Sequence, residues 1–368
     1  MTIGINGNEA NVAHRVGVNQ YAFELLNHFP KDAKDEVIVY LSNPPLSDMP
    51  DLNYQVFGPK KLWTLTGLQK KLLSDPPDVL FTPTHYTPIF VSCPSVIAIM
   101  DLAFEKFPQY FKARDLYQLR YWTRYSVKQA AKILTISEYS KKDICEIYKV
   151  RPDKVIVTYP SYDKERFHPR IKNKELRIKQ LGVKQPYILF LGTLQPRKNL
   201  ERLIEAHSGL ETDCKLVIAG MINEGRGGWM NENIFQAVSG KRLADRVIFT
   251  GYLPDDELPG LYAGAKAFVL PSLYEGFGIP AIEAMACGTP VVVSQVSSLP
   301  EVCGQAAIYI KDPYSMESIR EALKKVLTMS LTEKNRRVSL GLEWVKRYNW
   351  EVAAKVTLEV LEEAGQLK

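Results

Sequence analysis

Two doubly wound α/β domains, each a parallel sheet with helices on both faces, are what this sequence predicts, and three observations lead there. At 368 residues the chain exceeds the size at which a single core stops growing. Short apolar, β-branched runs alternate with helix-spaced segments along most of its length, an order that yields parallel strands joined by right-handed crossovers. The alternation is interrupted once, by a charged stretch without strand pattern at residues 162–186 that ends in Pro186, and the domain junction falls in its first part. The domains expected are therefore 1–165 and 166–348, with a last helix over 349–368 packing back on the first domain.

Taken in order, the first series of strand-like runs is TIGIN (2–6), VIVYLS (37–42), VLFTP (79–83), VIAIM (96–100), ILTIS (133–137) and VIVTY (155–159). Between them Val18, Tyr21, Leu25 and Phe29 recur at helical spacing, and Ser137 is placed to cap a helix carrying Tyr139, Ile144 and Ile147. The second series is YILFLGT (187–193), KLVIAG (215–220), RVIFTG (246–251), AFVLPS (267–272), PVVVSQ (290–295) and AAIYIK (306–311). From Ser315 onward only helical patterns appear. In the last of them, WEVAAKVTLEVLEEA, the docking face is expected to hold Val352, Val356, Leu358 and Leu361. Ligands of such sheets bind outside the carboxyl ends of the strands, so the expected site is a cleft there, between the domains.

Composition excludes several classes. A hydrophobic content of 46% with 24% charged residues is that of a soluble globular protein. The net charge of +6 is spread over both halves and forms no nucleic-acid stripe. Five scattered cysteines, none in a C-x-x-C spacing, disfavour a disulfide framework and a zinc site and fit a reducing cytoplasm. The opening MTIGINGNEA lacks the charged and apolar regions of a signal peptide, and no apolar run reaches 18 residues.

The chemistry concentrates where strands end. In YEGFGIPAIEAMACGTPVVVSQ (274–295), Pro280 stands at a first helical position and Gly288 just past the helix end. Backbone N–H groups around Gly278 and Ile279 would then face an anion that the glycines allow close. Glu283, about one turn into this helix, suits accepting hydrogen bonds from vicinal hydroxyls such as those of a ribose, and Glu275, before the turn, suits a different hydroxylated group. The alternative is an ordinary glutamate at a helix start plus an exposed one. Gly276, Gly278 and Ala281 also match G-x-G-x-x-A. However, the loop from Leu270 to Gly276 is too long for a dinucleotide turn, and no acid ends PVVVSQ. In GTLQPRKNLERLIEAH (192–207), Arg197 and Lys198 precede a helix that Asn199 is expected to cap, with Leu200, Leu203 and Ile204 on its apolar face. Two cations beside a positive helix end call for an anion, and a diphosphate would satisfy all three. Together these features describe a pocket for a nucleoside diphosphate attached to a polyol.

The run G-T-x-x-P-R-K-N, then T-G-Y-x-P-D-x-E-L (250–258), then S-x-Y-E-G-F-G-I-P-x-I-E-A-M-A-C-G-T-P-V-V and S-S-L-P-E-V-C-G-Q-A-A (297–307) resembles the retaining glycosyltransferases of family 4, which have the GT-B fold. In the first half GVNQYAFELL, FTPTHYTP and ISEYSKKDI resemble that family's glycine loop, acceptor-side strand end and S-x-x-S/T-K-x-D segment. The resemblance implies that Glu283 holds the ribose, Arg197 and Lys198 hold the diphosphate, and Glu275 with the Phe277, Gly278 and Ile279 backbone touches the donor sugar. It further implies that Gly251, Tyr252 and Leu253 flank the base and that Gly17 closes over the phosphates. No metal or cofactor is expected beyond the nucleotide-sugar co-substrate, since the sequence has no Asp-x-Asp motif.

One departure stands out. Many family members have His-Asp where this chain has Met100 and Asp101, and that His is expected to touch the donor sugar; His14 and His85 are two histidines that can lie nearby. Asp101 remains a catalytic candidate with Arg197, Lys198 and Glu275. Seven cations (Lys106, Lys112, Arg114, Arg120, Arg124, Lys128, Lys132) lie among aromatics, and KKLWTLTGLQKK (60–71) adds more. That mixture suits either an anionic membrane surface or a solvated helix face packed by its aromatics. The expected partners are a nucleoside-diphosphate sugar, of the GDP-mannose type or a 6-deoxyhexose, and a glycan or lipid-linked acceptor. The competing readings are a catalytically weakened sugar-nucleotide-binding subunit and, more distantly, an NAD-dependent dehydrogenase.

Overall fold

In the computed structural model, residues 1–30, 36–171, 178–179, 181–183, 185–220 and 246–367 are described; within the charged junction stretch, 172–177, 180 and 184 lie outside them. The chain divides into two compact units. The first comprises 1–105, 116–160 and 349–368, the second 106–115 and 161–348. The junction thus falls at 160/161 rather than 165/166, and residues 106–115 group with the second unit.

The first unit is built on a parallel sheet of β1 (Ile3–Asn6), β2 (Val37–Leu41), β3 (Asn53–Val56), β4 (Val79–Thr82), β5 (Ser95–Ile99), β6 (Lys132–Thr135) and β7 (Val155–Val157), in the order β3-β2-β1-β4-β5-β6-β7. All six strands read from the sequence are present, and β3 is an addition. Its residues NYQV are mostly polar and part-exposed, as an edge strand allows. The helices are α1 (Val18–Asn27), α2 (Gly67–Ser74), α3 (Ala103–Lys106), α4 (Ala113–Gln129) and α5 (Glu138–Tyr148), of which the apolar spacing of the sequence predicts α1 and α5. In α1 the apolar positions Tyr21 and Leu25 are buried, and the α5 cap is made as expected, with Ser137 Oγ accepting from the Ser140 amide at 3.0 Å.

The second unit has a six-stranded parallel sheet of β8 (Tyr187–Leu191), β9 (Lys215–Ala219), β10 (Val247–Gly251), β11 (Ala267–Leu270), β12 (Val291–Ser294) and β13 (Ile308–Ile310), in the order β10-β9-β8-β11-β12-β13. The central strands β11 and β12 are buried along their whole length, which explains their unbroken apolar runs. Around this sheet lie α6 (Leu200–Ser208), α7 (Leu258–Gly264), α8 (Ile279–Ala286), α9 (Leu299–Cys303), α10 (Met316–Leu327) and α11 (Leu331–Trp344).

The last helix, α12 (Trp350–Gly365), belongs to the first unit and packs on α1 and on strands β4, β5 and β6. Its docking face includes Leu358 and Leu361 as expected, but Val356 is only part-buried and Val352 is 58% exposed, and Trp350, Ala353, Ala354, Thr357 and Ala364 make up much of the buried face. At 3.6 residues per turn Val352 falls off the stripe that starts at Trp350, and small residues let the helix approach closely while Trp350 meets the Tyr21 ring edge-on at 6.0 Å. All five cysteines are free thiols, and no described helix is long and apolar enough to cross a membrane.

Candidate active site

In both sheets the strand order reverses between two neighbouring strands, β1 and β4 in the first and β8 and β11 in the second. Crossovers leave such a pair on opposite faces, so the loops at their carboxyl ends part and leave room for a ligand. In the second unit these two loops carry Arg197 and Lys198 after β8 and Glu275 after β11.

The structure brings those three side chains together. Lys198 Nζ donates to Glu275 Oε1 at 2.6 Å and Arg197 Nη1 to Oε2 at 3.1 Å, while Ser272 Oγ donates to Oε1 at 2.6 Å. Glu275 is only 5% exposed. Burial alone would raise its pKa, but Lys198 and Arg197, helped by the Ser272 hydroxyl, outweigh it and hold the carboxyl at about 2. The anion that the two cations call for is thus supplied by the protein itself. Among these three side chains the formal charges sum to +1. A carboxylate accepts about four hydrogen bonds, so with these three made, one more hydroxyl donor can be taken on Oε2.

The loops are fixed to one another by main-chain and amide bonds. Arg197 donates to the Tyr274 carbonyl at 2.8 Å, and the Leu273 amide to the Arg197 carbonyl at 2.7 Å. Asn199 stands at the N-cap position of α6, but its side chain does not cap it. Its backbone is left-handed, at φ 61°, and its Nδ2 donates to the carbonyls of Pro271 at 3.0 Å and Pro313 at 2.6 Å. The expected cap is therefore a cross-tie between loops, with a conformation asparagine tolerates better than most residues. The backbone around Glu275 is held by two serines to which the sequence reading gave no role. Ser297 Oγ accepts from the Glu275 amide at 2.9 Å, and Ser298 Oγ donates to the carbonyls of Glu275 at 2.9 Å and Phe277 at 3.0 Å. Their only sequence signal was the S-S-L-P turn after β12.

Phe277, Gly278 and Ile279 lead into α8, with Gly278 at φ 108° and Pro280 in the first turn. Glu283 lies farther along this helix, away from the cationic centre, and accepts from the Tyr262 hydroxyl at 2.8 Å. Burial pushes its carboxyl up to about 7, against the partial relief of that hydrogen bond. The two glutamates are thus oppositely tuned, Glu275 ionised throughout the neutral range and Glu283 close to its midpoint. Gly251, at φ 70°, closes β10, followed by half-exposed Tyr252 and by Leu253 at 8% exposure. The neighbouring strand ends pack backbone to backbone: the Gly220 amide donates to the Gly251 carbonyl at 2.9 Å, and a Cβ at Gly220 would lie 2.0 Å from the Gly192 carbonyl oxygen.

The remaining candidates belong to the first unit. Gly17, at φ 55°, is exposed at the start of α1. Met100 directly follows β5 and its carbonyl accepts from Ser140 Oγ at 3.2 Å. Asp101 Oδ1 accepts from the Ala103 amide at 2.9 Å, just before α3 begins. Among the described residues no group of three His, Cys, Asp or Glu could hold a metal ion.

Residues 172–340 match the family described as Glycosyl transferases group 1, and residues 16–166 match Glycosyltransferase Family 4. The chain is 32% identical over 269 residues to O-antigen chain mannosyltransferase B of Escherichia coli, an alignment covering 72% of this chain and 69% of that protein. Over 242 residues it is 31% identical to the serotype-specific mannosyltransferase WbdA of Escherichia coli, covering 63% of this chain but 29% of that longer protein. Among crystal structures, Anabaena Alr3699/HepE in complex with UDP-glucose superposes with a TM-score of 0.79 at 19% identity, covering 99% of this chain and all of the other. Sucrose-phosphate synthase of Thermosynechococcus elongatus gives 0.77, also at 19% identity, over 99% and 98%. The fold is GT-B, and the chain belongs to the group 1 glycosyltransferases of the family 4 type.

Proposed function

We propose that this glycosyltransferase moves a hexose from a GDP sugar, of which GDP-mannose is favoured, to a glycan or lipid-linked acceptor, with retention of anomeric configuration and without a metal ion. The observation that carries the reading is the Glu275 centre at the strand-order reversal of the second unit, where a buried carboxylate holds two cations at the carboxyl ends of neighbouring strands. Glycosyl transfer passes through an oxocarbenium-like state while negative charge grows on the departing diphosphate. Arg197, Lys198 and the amides leading into α8 meet that charge where it develops. Glu275 takes a donor-sugar hydroxyl on its remaining acceptor position, and Glu283 takes the ribose hydroxyls.

In the transfer step the bond from the anomeric carbon to the diphosphate oxygen breaks, a bond to the acceptor oxygen forms on the same face, and the acceptor proton passes to the leaving phosphate. Mannose as the transferred sugar is supported by the relatives that bear the name mannosyltransferase. The test is incubation with GDP-mannose or UDP-glucose in the presence of EDTA, with the product read by proton NMR. An α-mannosyl product formed equally well in EDTA is expected; a β-linked product, or loss of activity restored by magnesium, contradicts the reading. Met100 favours a second reading, a sugar-nucleotide-binding subunit of weakened activity, which nucleotide binding without turnover would support.

The lipid-linked form of the acceptor is supported by an exposed basic and aromatic face. On α4, Tyr117 and Tyr121 are 73% and 57% exposed with rings stacked at 6.3 Å, among Arg114, Arg124 and Lys128. Aromatic rings with interspersed cations suit an anionic bilayer surface. Vesicles containing phosphatidylglycerol are expected to co-sediment the protein at low salt and to release it at high salt. Equal sedimentation with neutral phosphatidylcholine vesicles would remove the electrostatic contribution.

A further inference from the structure

The main chain around Glu275 is gripped from one side by three consecutive residues of another loop. Ser297, Ser298 and Leu299 follow β12, which is the sheet neighbour of β11. The Glu275 amide donates to Ser297 Oγ at 2.9 Å, and Ser298 Oγ donates to the carbonyls of Glu275 at 2.9 Å and Phe277 at 3.0 Å. Leu299 closes over the residues that follow, where a Cβ at Gly278 would lie 2.9 Å from Leu299 Cδ2. The direction in which the Glu275 side chain leaves its backbone is therefore set from outside its own loop.

This grip sets aside two local preferences. Ser297 is left-handed, at φ 50°, a conformation that a Cβ makes unfavourable and that glycine adopts freely. Ser298 stands at the N-cap position of α9, where a serine hydroxyl ordinarily accepts from its own helix, yet it makes no cap bond. Fully buried, that hydroxyl is turned to the Glu275 loop instead. A glycine at 297 would relieve the backbone but would leave the Glu275 amide without this acceptor. Strain kept where relief is one substitution away marks a side chain that the site needs. The need is at the carboxylate, which has to meet Lys198 Nζ at 2.6 Å and Arg197 Nη1 at 3.1 Å at once. Geometry of that kind is held by supports one layer out.

We propose that Ser297 is a positioning residue for Glu275: its hydroxyl fixes the Glu275 amide so that the carboxylate keeps both cations and presents its remaining acceptor position to a hydroxyl of the donor sugar. The inference rests on the proposed transferase function for the sugar, but not for the coupling between Ser297 and the carboxylate, which is a property of the protein alone.

Two measurements on the full chain test it. In urea unfolding at pH 7, Ser297→Gly is compared in the parent and in the Glu275→Gln background. If the serine acts through the carboxylate, the two changes together should raise the unfolding constant by about tenfold less than the product of their separate effects. Independent effects, multiplying to that product, would show a brace of the backbone alone and overturn the proposal. In calorimetric titration, the affinity for GDP-mannose relative to GDP should fall about tenfold in Ser297→Gly, because the sugar hydroxyl loses its aligned acceptor while Glu283 and the cations still meet the nucleotide. Ser297→Ala should lower this ratio equally, although only glycine relieves the left-handed backbone and the alanine variant should be the less stable of the two. A ratio unchanged in Ser297→Gly, or one that follows stability rather than the hydroxyl, overturns the proposal. Should the alanine variant fail to fold, the glycine variant decides. Failure of the transferase reading shows separately, as absence of GDP and GDP-mannose binding by the unmodified chain, and the unfolding comparison then decides the role of Ser297 without any ligand.

Discussion

Replacing both Arg197 and Lys198 by alanine is expected to lower turnover by about a thousandfold or more, since the loss of a single group that stabilises developing charge already costs about 10²–10³. The same change should destabilise the protein, because Glu275 would be left buried without either cation, a situation that costs about 3–5 kcal/mol. The pH dependence separates the two effects. In the native protein Glu275 titrates at about 2, below its ordinary value of 4.5, so its stabilisation is present above pH 4.5 and lost as the pH falls toward 2. Without the cations, burial is the largest influence left and drives the pKa above 4.5, so stability should instead fall as the pH rises above 4.5. Adding Glu275→Gln to the double variant should recover stability at neutral pH but not activity. Near-normal turnover in the double variant would sink the assignment of these cations to the leaving diphosphate.

The second large effect is expected at Glu283, where stability and function oppose each other. Its folded-state pKa of about 7 lies above the ordinary 4.5, so its contribution is fully present below pH 4.5 and is lost as the pH rises through 7. At pH 8 the folded chain carries the cost of an ionised, buried carboxylate. Glu283→Gln should therefore raise stability at pH 8 by at most about 3 kcal/mol and have little effect at pH 4. The same substitution should weaken binding of GDP, because ribose hydroxyls donate more strongly to a carboxylate than to an amide. For the native protein it follows that GDP affinity falls as the pH drops below about 7, when Glu283 protonates. Urea unfolding at the two pH values, with calorimetric titration of GDP, measures both sides. A destabilised Glu283→Gln protein at pH 8 with undiminished GDP affinity would show Glu283 to be a structural partner of Tyr262.

Much of this was legible in the sequence. The buried parallel strands announce themselves by unbroken β-branched runs, and the turn glycines and prolines around α8 mark its ends. The edge strand β3 was not legible, because NYQV is polar and half-exposed and its pairing depends on β2, a neighbour that the local sequence does not reveal. Helical spacing misled at Val352, where the true stripe uses alanines that no hydrophobicity reading favours. At the site, residue types pointed to Arg197, Lys198 and both glutamates, but not to their pairing, since Arg197 and Glu275 meet across 78 positions of chain. Nor could the sequence assign Asn199 its cross-tie or Tyr262 its hydrogen bond to Glu283, because both depend on loops and helices that only the sheet order brings together.

The account rests on the claim that the strand ends of the second unit hold a nucleoside diphosphate sugar between the Glu275 centre and Glu283. Calorimetric titration of the unmodified chain and of Glu283→Ala with GDP, UDP, GDP-mannose and NAD tests it most directly. The account predicts saturable binding of GDP and GDP-mannose by the unmodified chain, strong loss of both in Glu283→Ala, and no comparable binding of NAD. Equal GDP affinity in the two proteins, or a preference for NAD, would contradict it.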